Sequence, residues 1–213
     1  MTRRTLVIIG TPLPDTLTHA LAGSYIDAAR DARAEVRVID LARDPIPSHP
    51  RSRAELRAPR GDDDLALDPI VAEYLDAVLW AEHLVIVHPQ WWGTVPAALK
   101  SFIDRVFLSG ATFRYRAGTQ IPERLLRGKT ARIVMTMDSP RAWNRLVYRG
   151  AAEASLARAT LAFCGVRVTG ITRFTPVRLG RPERRVAWIA QLARLGARDA
   201  QVRSKAPRVA TVT

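Results

Sequence analysis

Short apolar runs alternate with longer amphipathic stretches along this chain. The apolar runs are rich in valine, isoleucine and leucine and are bounded by glycine, proline or charged residues, which is typical of buried β-strands. The predicted strands cover residues 6–9, 36–39, 84–87, 131–135 and 166–174. The predicted helices between and after them cover residues 16–33, 69–81, 94–108, 149–163 and 183–195. Apolar strands that alternate with helices predict an α/β fold with a doubly wound, five-stranded parallel sheet.

Two segments break this alternation. Residues 42–64 hold four prolines and many charges, which predicts a long loop. Residues 198–213 are polar and basic, which predicts a disordered tail. No linker divides the rest, so we expect one domain over residues 1–197 and a basic tail over residues 198–213.

The chain is strongly basic, with 33 Lys+Arg against 20 Asp+Glu and a formal net charge of +13. Such a surface is compatible with nucleic acid, anionic lipid or phosphorylated small molecules and selects none of them. The basic tail has no interleaved aromatic residues, which disfavours binding of single-stranded nucleic acid. We therefore expect no nucleic-acid partner.

The few cysteines and histidines limit which disulfides and metal sites the chain can form. The chain has 1 cysteine, Cys164, which excludes an intrachain disulfide and a thiolate metal cluster. Its 4 histidines lack metal-ligand spacing, so we expect no metal. The first apolar run is too short for a signal peptide, and no stretch approaches the ~18 apolar residues of a membrane span. We expect a soluble cytoplasmic protein.

Ligands of such sheets bind beyond the carboxyl ends of the strands, so three loops are of interest: residues 11–18, 89–94 and 137–144. The first loop has no dinucleotide or P-loop glycine pattern. It does lead into a helix N-terminus beside Thr16 and Thr18, where free N–H groups and hydroxyls suit a phosphate. Simple helix capping explains the same residues.

The second loop is more informative. Pro89-Gln90-Trp91-Trp92-Gly93 follows a buried strand directly and precedes a marked helix. Two adjacent tryptophans cannot both point into the same core, so at least one is expected to flank a pocket, where it offers a wall to a planar ring. The alternative is a pair of tryptophans that cap the core.

A longer signature surrounds this loop. Residues 88–106 read HPQWWGTVPAALKSFIDRV, and residues 110–115 read GATFRY. This sequence resembles the signature P-x-W-W-G-x-x-P-A-x-L-K-x-(F/W)-x-D-R-V of the NAD(P)H:quinone oxidoreductase family within the flavodoxin-like fold. That family includes ancillary flavoproteins of potassium efflux and modulators of drug activity. The resemblance covers roughly residues 4–195 and is strongest over residues 84–115.

The resemblance implies a flavodoxin-like sheet of strand order 2-1-3-4-5 and non-covalently bound FMN, with FAD as the alternative. It implies that hydride passes from NAD(P)H through flavin N5 to a quinone or similar acceptor, and that the chain forms a homodimer. The implied cofactor-binding residues are Thr11, Thr16, Leu17, Thr18, Pro89, Gln90, Trp91, Trp92, Gly93, Thr136, Met137, Asp138 and Ser139. Phe113 and Tyr115 would border the acceptor site, with the partner subunit as their expected source, and Trp143 would be a lid aromatic.

Departures from the family pattern leave alternatives open. Thr18 stands where the family has asparagine, and residues 136–139 replace a common Thr-Thr-Gly-Gly, so that Asp138 would oppose a reduced flavin if it faced the ring. A flavin-binding regulatory subunit at a membrane transporter and a flavodoxin-type electron carrier remain alternative functions. Arg114 and Arg116 favour NADPH as donor if they bind its phosphates.

Overall fold

The computed structural model describes residues 2–61 and 63–202. Its strands in the main sheet are β1 (Arg4–Ile9), β2 (Glu35–Asp40), β3 (His83–Pro89), β4 (Thr130–Thr136) and β5 (Arg167–Phe174). Its helices are α1 (Leu17–Asp31), α2 (Pro69–Trp80), α3 (Ala97–Val106), α4 (Arg141–Leu146), α5 (Ala151–Ala154, continued by a π-helical stretch, Ser155–Ala162) and α6 (Pro182–Gln201).

The five strands of this sheet in the described residues are all parallel and lie in the order β2-β1-β3-β4-β5. This confirms the predicted fold class and strand order. Alternate residues of each central strand enter opposite cores. Leu6 and Ile86 pack with α2, α3 and the π-helical stretch, whereas Val7 and Val85 pack with α1 and α6. Both faces are therefore covered, which is why these strands are apolar throughout.

Several elements differ from the sequence prediction. The predicted helix over residues 94–108 begins only at Ala97, because residues 91–94 form a tight turn. The predicted helix over residues 149–163 begins at Ala151 and turns π-helical after Ala154. Helix α4 lies in a stretch for which the sequence predicts a loop. Such short elements have too few residues to produce a clear periodicity.

The last helix continues to Gln201, past the predicted tail boundary at residue 198. Asp199 in its final turn is buried, which explains why the helix does not stop at the last apolar residues. The rest of the predicted tail, residues 203–213, lies outside the described residues. The long loop over residues 42–64 contains a short 3-10 helix, Ala54–Leu56, whose Glu55 pairs with the buried Arg105.

A small antiparallel ladder follows α3, formed by Phe113–Arg114 and Glu123–Arg124. In the part of the chain that the structure describes, no helix has both the length and the apolar composition that crossing a bilayer requires.

Candidate functional site

The loops after β1, β3 and β4 meet at the carboxyl edge of the sheet. The three strands are neighbours, and backbone hydrogen bonds continue past their ends. The N–H of Gly10 donates to the carbonyl of Val87 at 2.8 Å, and the N–H of Gln90 donates to that of Thr136 at 2.7 Å. The structure thus brings together the three loops that the sequence singled out.

The first loop is fixed at the start of α1. Thr16 is the N-cap of α1, and its N–H donates to Nδ1 of His19 at 3.3 Å. Because Nδ1 accepts this bond, Nε2 carries the proton and donates to Oδ1 of Asp40 at 3.2 Å. Asp40 ends β2, so this histidine ties the loop to the neighbouring strand. Sequence reasoning missed the role of His19.

The start of α1 suits a phosphate. An α-helix leaves its first N–H groups without intrahelical acceptors, which here include those of Leu17 and Thr18. The first turn holds no acidic residue. The nearest carboxylate in sequence, Asp15, accepts a hydrogen bond from Nη2 of Arg43 at 2.9 Å. The donors present therefore fit a dianion with no unpaired carboxylate in the first turn to repel it.

The tryptophan loop is a tight two-residue turn. The backbone groups of Trp91 and Thr94 bond to each other in both directions, at 3.0 and 2.9 Å. The central residues Trp92 and Gly93 have φ of 50° and 73°, the type I′ geometry. A left-handed conformation is unfavourable for a bulky residue such as tryptophan. This turn therefore holds an aromatic side chain in a strained position.

Neither tryptophan of this turn is in the core. The side chain of Trp92 is fully exposed, and Trp91 is 38% exposed. A strained backbone that presents a fully exposed indole is typical of a functional contact rather than of packing.

The third loop is held from the side of β5. Met137 is buried, and its N–H donates to the carbonyl of Phe174 at 3.0 Å. Oδ1 of Asp138 accepts a hydrogen bond from the N–H of Arg178 at 2.6 Å. The carbonyl of Ser139 accepts one from the hydroxyl of Thr175 at 2.6 Å. The carboxylate of Asp138 is thus engaged by the backbone after β5.

Aromatic side chains join the second and third loops. The ring of Trp143, which is 51% exposed, lies edge-on to the ring of Tyr148 at a centroid distance of 6.5 Å. A Cβ atom at Gly93 would lie 3.5 Å from the ring of Tyr148, so the turn rests on this tyrosine. Sequence reasoning named Trp143 and missed Tyr148.

His88 at the end of β3 is fully buried, and burial lowers its pKa to about 4. Its Nδ1 lies 2.9 Å from the carbonyl oxygen of Pro89, and its Nε2 has no partner among the described residues. This histidine is therefore neutral at physiological pH and supports the loop from inside.

The structure places Phe113 and Tyr115 away from these loops. The ring of Phe113 lies 5.0 Å from that of Phe163 and 5.6 Å from that of Tyr115. Phe163 precedes β5, so both aromatics lie toward the amino edge, about 20 Å along the strands from the candidate site. They are not brought to the site within one chain, and their role through a partner subunit stays a prediction.

Arg114 and Arg116 both pair with Glu123. The closest distances to its carboxylate are 3.3 Å for Arg114 and 2.9 Å for Arg116. One carboxylate therefore offsets part of the positive charge on which the predicted preference for NADPH depends.

The comparisons with known proteins agree with the fold. A family model described as the flavodoxin-like fold matches residues 3–196. An FMN-dependent NADH:quinone oxidoreductase of Azospirillum brasilense is 33% identical over 199 residues, which cover 87% of this chain and 91% of that protein. One from Alcanivorax borkumensis is 34% identical over 123 residues, which cover 55% of this chain.

Coverage of some curated relatives is partial. The chain spans 61% of the length of the Alcanivorax borkumensis relative and 64% of one from Bordetella petrii.

Solved structures share the fold at low sequence identity. The NAD(P)H:quinone oxidoreductase from Methanothermobacter marburgensis superposes with a TM-score of 0.75 at 18% identity and covers 95% of this chain and 100% of that one. The structure of an FMN-dependent NADH-azoreductase from Bacillus anthracis, in complex with FMN, superposes with a TM-score of 0.76 at 17% identity. The match covers 94% of this chain and 100% of that one.

Proposed function

The chain belongs to the flavodoxin-like fold family, and from that membership we propose that it is an FMN-dependent oxidoreductase that passes two electrons from NADH to a quinone. The observation that carries the proposal is the fully exposed Trp92, held on a strained turn where the loops after three adjacent strands meet. The names of the relatives from Azospirillum brasilense and Alcanivorax borkumensis support the same activity.

The residues of the site fit FMN. The N–H groups at the start of α1 would hold its phosphate, with the hydroxyl of Thr18 as a side-chain donor. The hydroxyl of Thr16 lies 3.1 Å from Nδ1 of His19 and donates to it instead. The backbone of residues 90–93 and 136–139 would hold the ring system, and Trp92 offers an aromatic surface. FMN is preferred to FAD because the relatives' names specify it.

The chain's own residues position the reactants, and the proton that completes quinone reduction comes from solvent. When bound, the flavin supplies the redox chemistry, taking hydride from NADH and passing two electrons to the acceptor. Asp138 bonds the backbone after β5, and His88 is buried and neutral. The chain's own contribution is therefore to fix the phosphate, to hold the two ring-binding loops together and to shield one side with Trp143.

NADH is the proposed donor. The relatives are named for NADH, and the argument for NADPH is weakened by the shared pairing of Arg114 and Arg116 with Glu123.

We propose a homodimer as the working assembly. Trp92, Leu146 and Val147 leave a group of exposed apolar side chains around the site, at 101%, 68% and 52% exposure. Exposed apolar groups of this kind favour a protein contact. A second copy could supply Phe113 and Tyr115, which lie far from the site within one chain. A cytoplasmic location fits the single, buried cysteine. The transporter-subunit and electron-carrier alternatives stay predictions that no observation favours.

The activity is tested with purified protein, NADH and a naphthoquinone, with and without added FMN. We expect FMN-dependent oxidation of NADH with one quinone reduced per NADH consumed. A protein that is loaded with FMN yet transfers no electrons to any quinone or azo compound would overturn the proposed activity.

A further inference from the structure

A series of hydrogen bonds between polar side chains connects the tryptophan loop to α4, α5 and β5. Nε2 of Gln90, in the second loop, donates to Oδ1 of Asn144 in α4 at 2.7 Å. Nδ2 of Asn144 donates to Oε1 of Glu153 in α5 at 3.1 Å. The same oxygen of Glu153 accepts a bond from Nε of Arg173 in β5. Asn144 is 3% and Glu153 9% exposed, so both are sealed from water.

The carboxylate of Glu153 determines which group donates and which accepts in each of these hydrogen bonds. A carboxylate paired with a guanidinium accepts and does not donate, so Asn144 must turn its amide nitrogen to Glu153. Its oxygen then faces Gln90, which must donate with Nε2. The Oε1 of Gln90 is left as the free end of the carboxamide, an acceptor at the start of the tryptophan loop.

The backbone around Glu153 is shaped for this contact. Gly150 has φ of 63°, and a Cβ atom there would lie 2.5 Å from Oε2 of Glu153. The N–H of Gly150 also donates to the carbonyl of Asn144 at 3.0 Å. Asn144 is the only asparagine in the sequence. An ion pair of β5 and α5 is thus connected through α4 to the loop after β3.

We propose that Glu153, acting through Asn144, is a positioning residue for the flavin: it holds the second and third loops in register and fixes the direction of the Gln90 carboxamide. This inference rests on the proposed function. Loss of the donor from Asn144 would place two acceptors face to face in a buried site and push the two loops apart.

A swap of donor and acceptor tests the proposal. Asn144→Asp keeps the shape but sets a second carboxylate against Glu153, so binding of FMN should weaken about tenfold or more. Glu153→Gln alone retains an acceptor for Asn144 and should weaken binding only about twofold. In the double variant Asn144→Asp/Glu153→Gln, the introduced glutamine donates to the introduced aspartate, which still accepts from Gln90. Arg173 then loses its acceptor on residue 153, but its side chain is 34% exposed and water can replace that bond. Binding should therefore regain most of the affinity that Asn144→Asp loses.

Dissociation constants are measured for FMN and for riboflavin by flavin fluorescence, and Gln201→Glu serves as an exposed control for added negative charge. The proposal requires Asn144→Asp to weaken both ligands and the double variant to recover both. An effect on FMN alone would indicate repulsion of the phosphate and would overturn it, as would a failure of the double variant to recover. If Asn144→Asp does not fold, a double variant that folds and binds both flavins would support the proposal, and one that does not would overturn it.

The proposed function and this inference fail in different ways. A wild type that binds neither flavin would overturn both. A wild type that binds FMN, with all three variants within twofold of it, would overturn this inference alone.

Discussion

The two ends of the central sheet are built on opposite plans. At the amino end, the carboxylate of Asp199 is buried and accepts bonds from Nε and Nη2 of Arg132 at 2.5 and 2.8 Å and from the hydroxyl of Tyr25 at 3.1 Å. Arg3 donates to the carbonyl of Asp199 and, at 2.6 Å, to the hydroxyl of Thr130. These bonds connect α6 to β4, to α1 and to Arg3, the residue before β1, and the acceptor positions of the carboxylate are used within the chain.

At the carboxyl end the chain instead leaves groups uncompensated. Trp92 is fully exposed on a strained turn, and the first N–H groups of α1 need external acceptors. The polar chain from Glu153 to Gln90 holds the loops but ends at the site. The amino end thus contributes a buried ion pair to stability, whereas the carboxyl end presents backbone donors and an exposed indole to a ligand.

The largest effect should come from the amino end. Asp199→Ala leaves Arg132 buried without its partner, which should cost about 3–5 kcal/mol in the free energy of unfolding. Urea denaturation measures this loss, with Asp27→Ala on the exposed side of α1 as control. The fraction that stays folded should bind FMN as the wild type does. If the folded Asp199→Ala protein bound FMN more weakly than the wild type, the amino end would not act independently of the FMN site.

Acid should lower the free energy of unfolding through buried groups at both ends of the sheet, and the largest effect above pH 5 is expected from His88. Burial lowers its folded pKa to about 4, so between about pH 6.5 and 4 the unfolded chain binds a proton that the folded chain refuses. Stability is therefore lost as the pH falls, by about 2 kcal/mol from pH 7.5 to 5. Burial alone would raise the pKa of Asp199, but the hydrogen bonds from Arg132 and the imidazole of His83, 3.4 Å away, hold it well below its usual range, which adds a loss of stability in stronger acid.

The loss of stability between pH 7.5 and 5 is compared in the wild type and in His88→Gln, because His83, whose pKa burial also lowers, contributes to both. His88→Gln should flatten the dependence by about 2 kcal/mol, whereas His49→Gln, on an exposed loop, should leave it unchanged. An equal slope in wild type and His88→Gln would show that this histidine is not held neutral.

At the carboxyl end, Trp92→Ala should weaken FMN binding by about 1–3 kcal/mol, or roughly 5- to 150-fold, through loss of aromatic contact. Its unfolding free energy should stay within about 0.5 kcal/mol of the wild type, because the side chain is exposed. Leu179→Ala, also exposed, is the control for apolar truncation. If Trp92→Ala lost stability but bound FMN as the wild type does, the role of Trp92 would be structural.

The smallest effect concerns Arg114 and Arg116. Because both pair with Glu123 near the amino edge, Arg116→Ala should change the ratio of KM for NADPH to KM for NADH by less than about twofold. Steady-state kinetics at low and high salt measures the ratio. A selective, salt-sensitive rise in KM for NADPH would restore the preference that the sequence suggested.

Sequence pattern predicted the central strands because each lies between two apolar layers, so runs such as residues 84–87 are unmistakable. It located the loop that contains Trp92 from its place after β3, but not the tight turn within that loop. It could not find Asn144 or Glu153, because their contacts join residues far apart in the chain, such as Gln90 and Asn144 across 54 positions. The sequence prediction places Asp199 in the tail for a similar reason: its burial depends on Arg132, which belongs to another strand.

Binding of FMN at the carboxyl edge of the sheet is checked by its stoichiometry. Purified protein is incubated with excess FMN, desalted, and its visible flavin absorbance compared with its chain concentration. We expect about one FMN per chain in the wild type and a clear loss in Trp92→Ala. Wild-type protein that retains no flavin absorbance, and that leaves FMN fluorescence unchanged on titration, would contradict it.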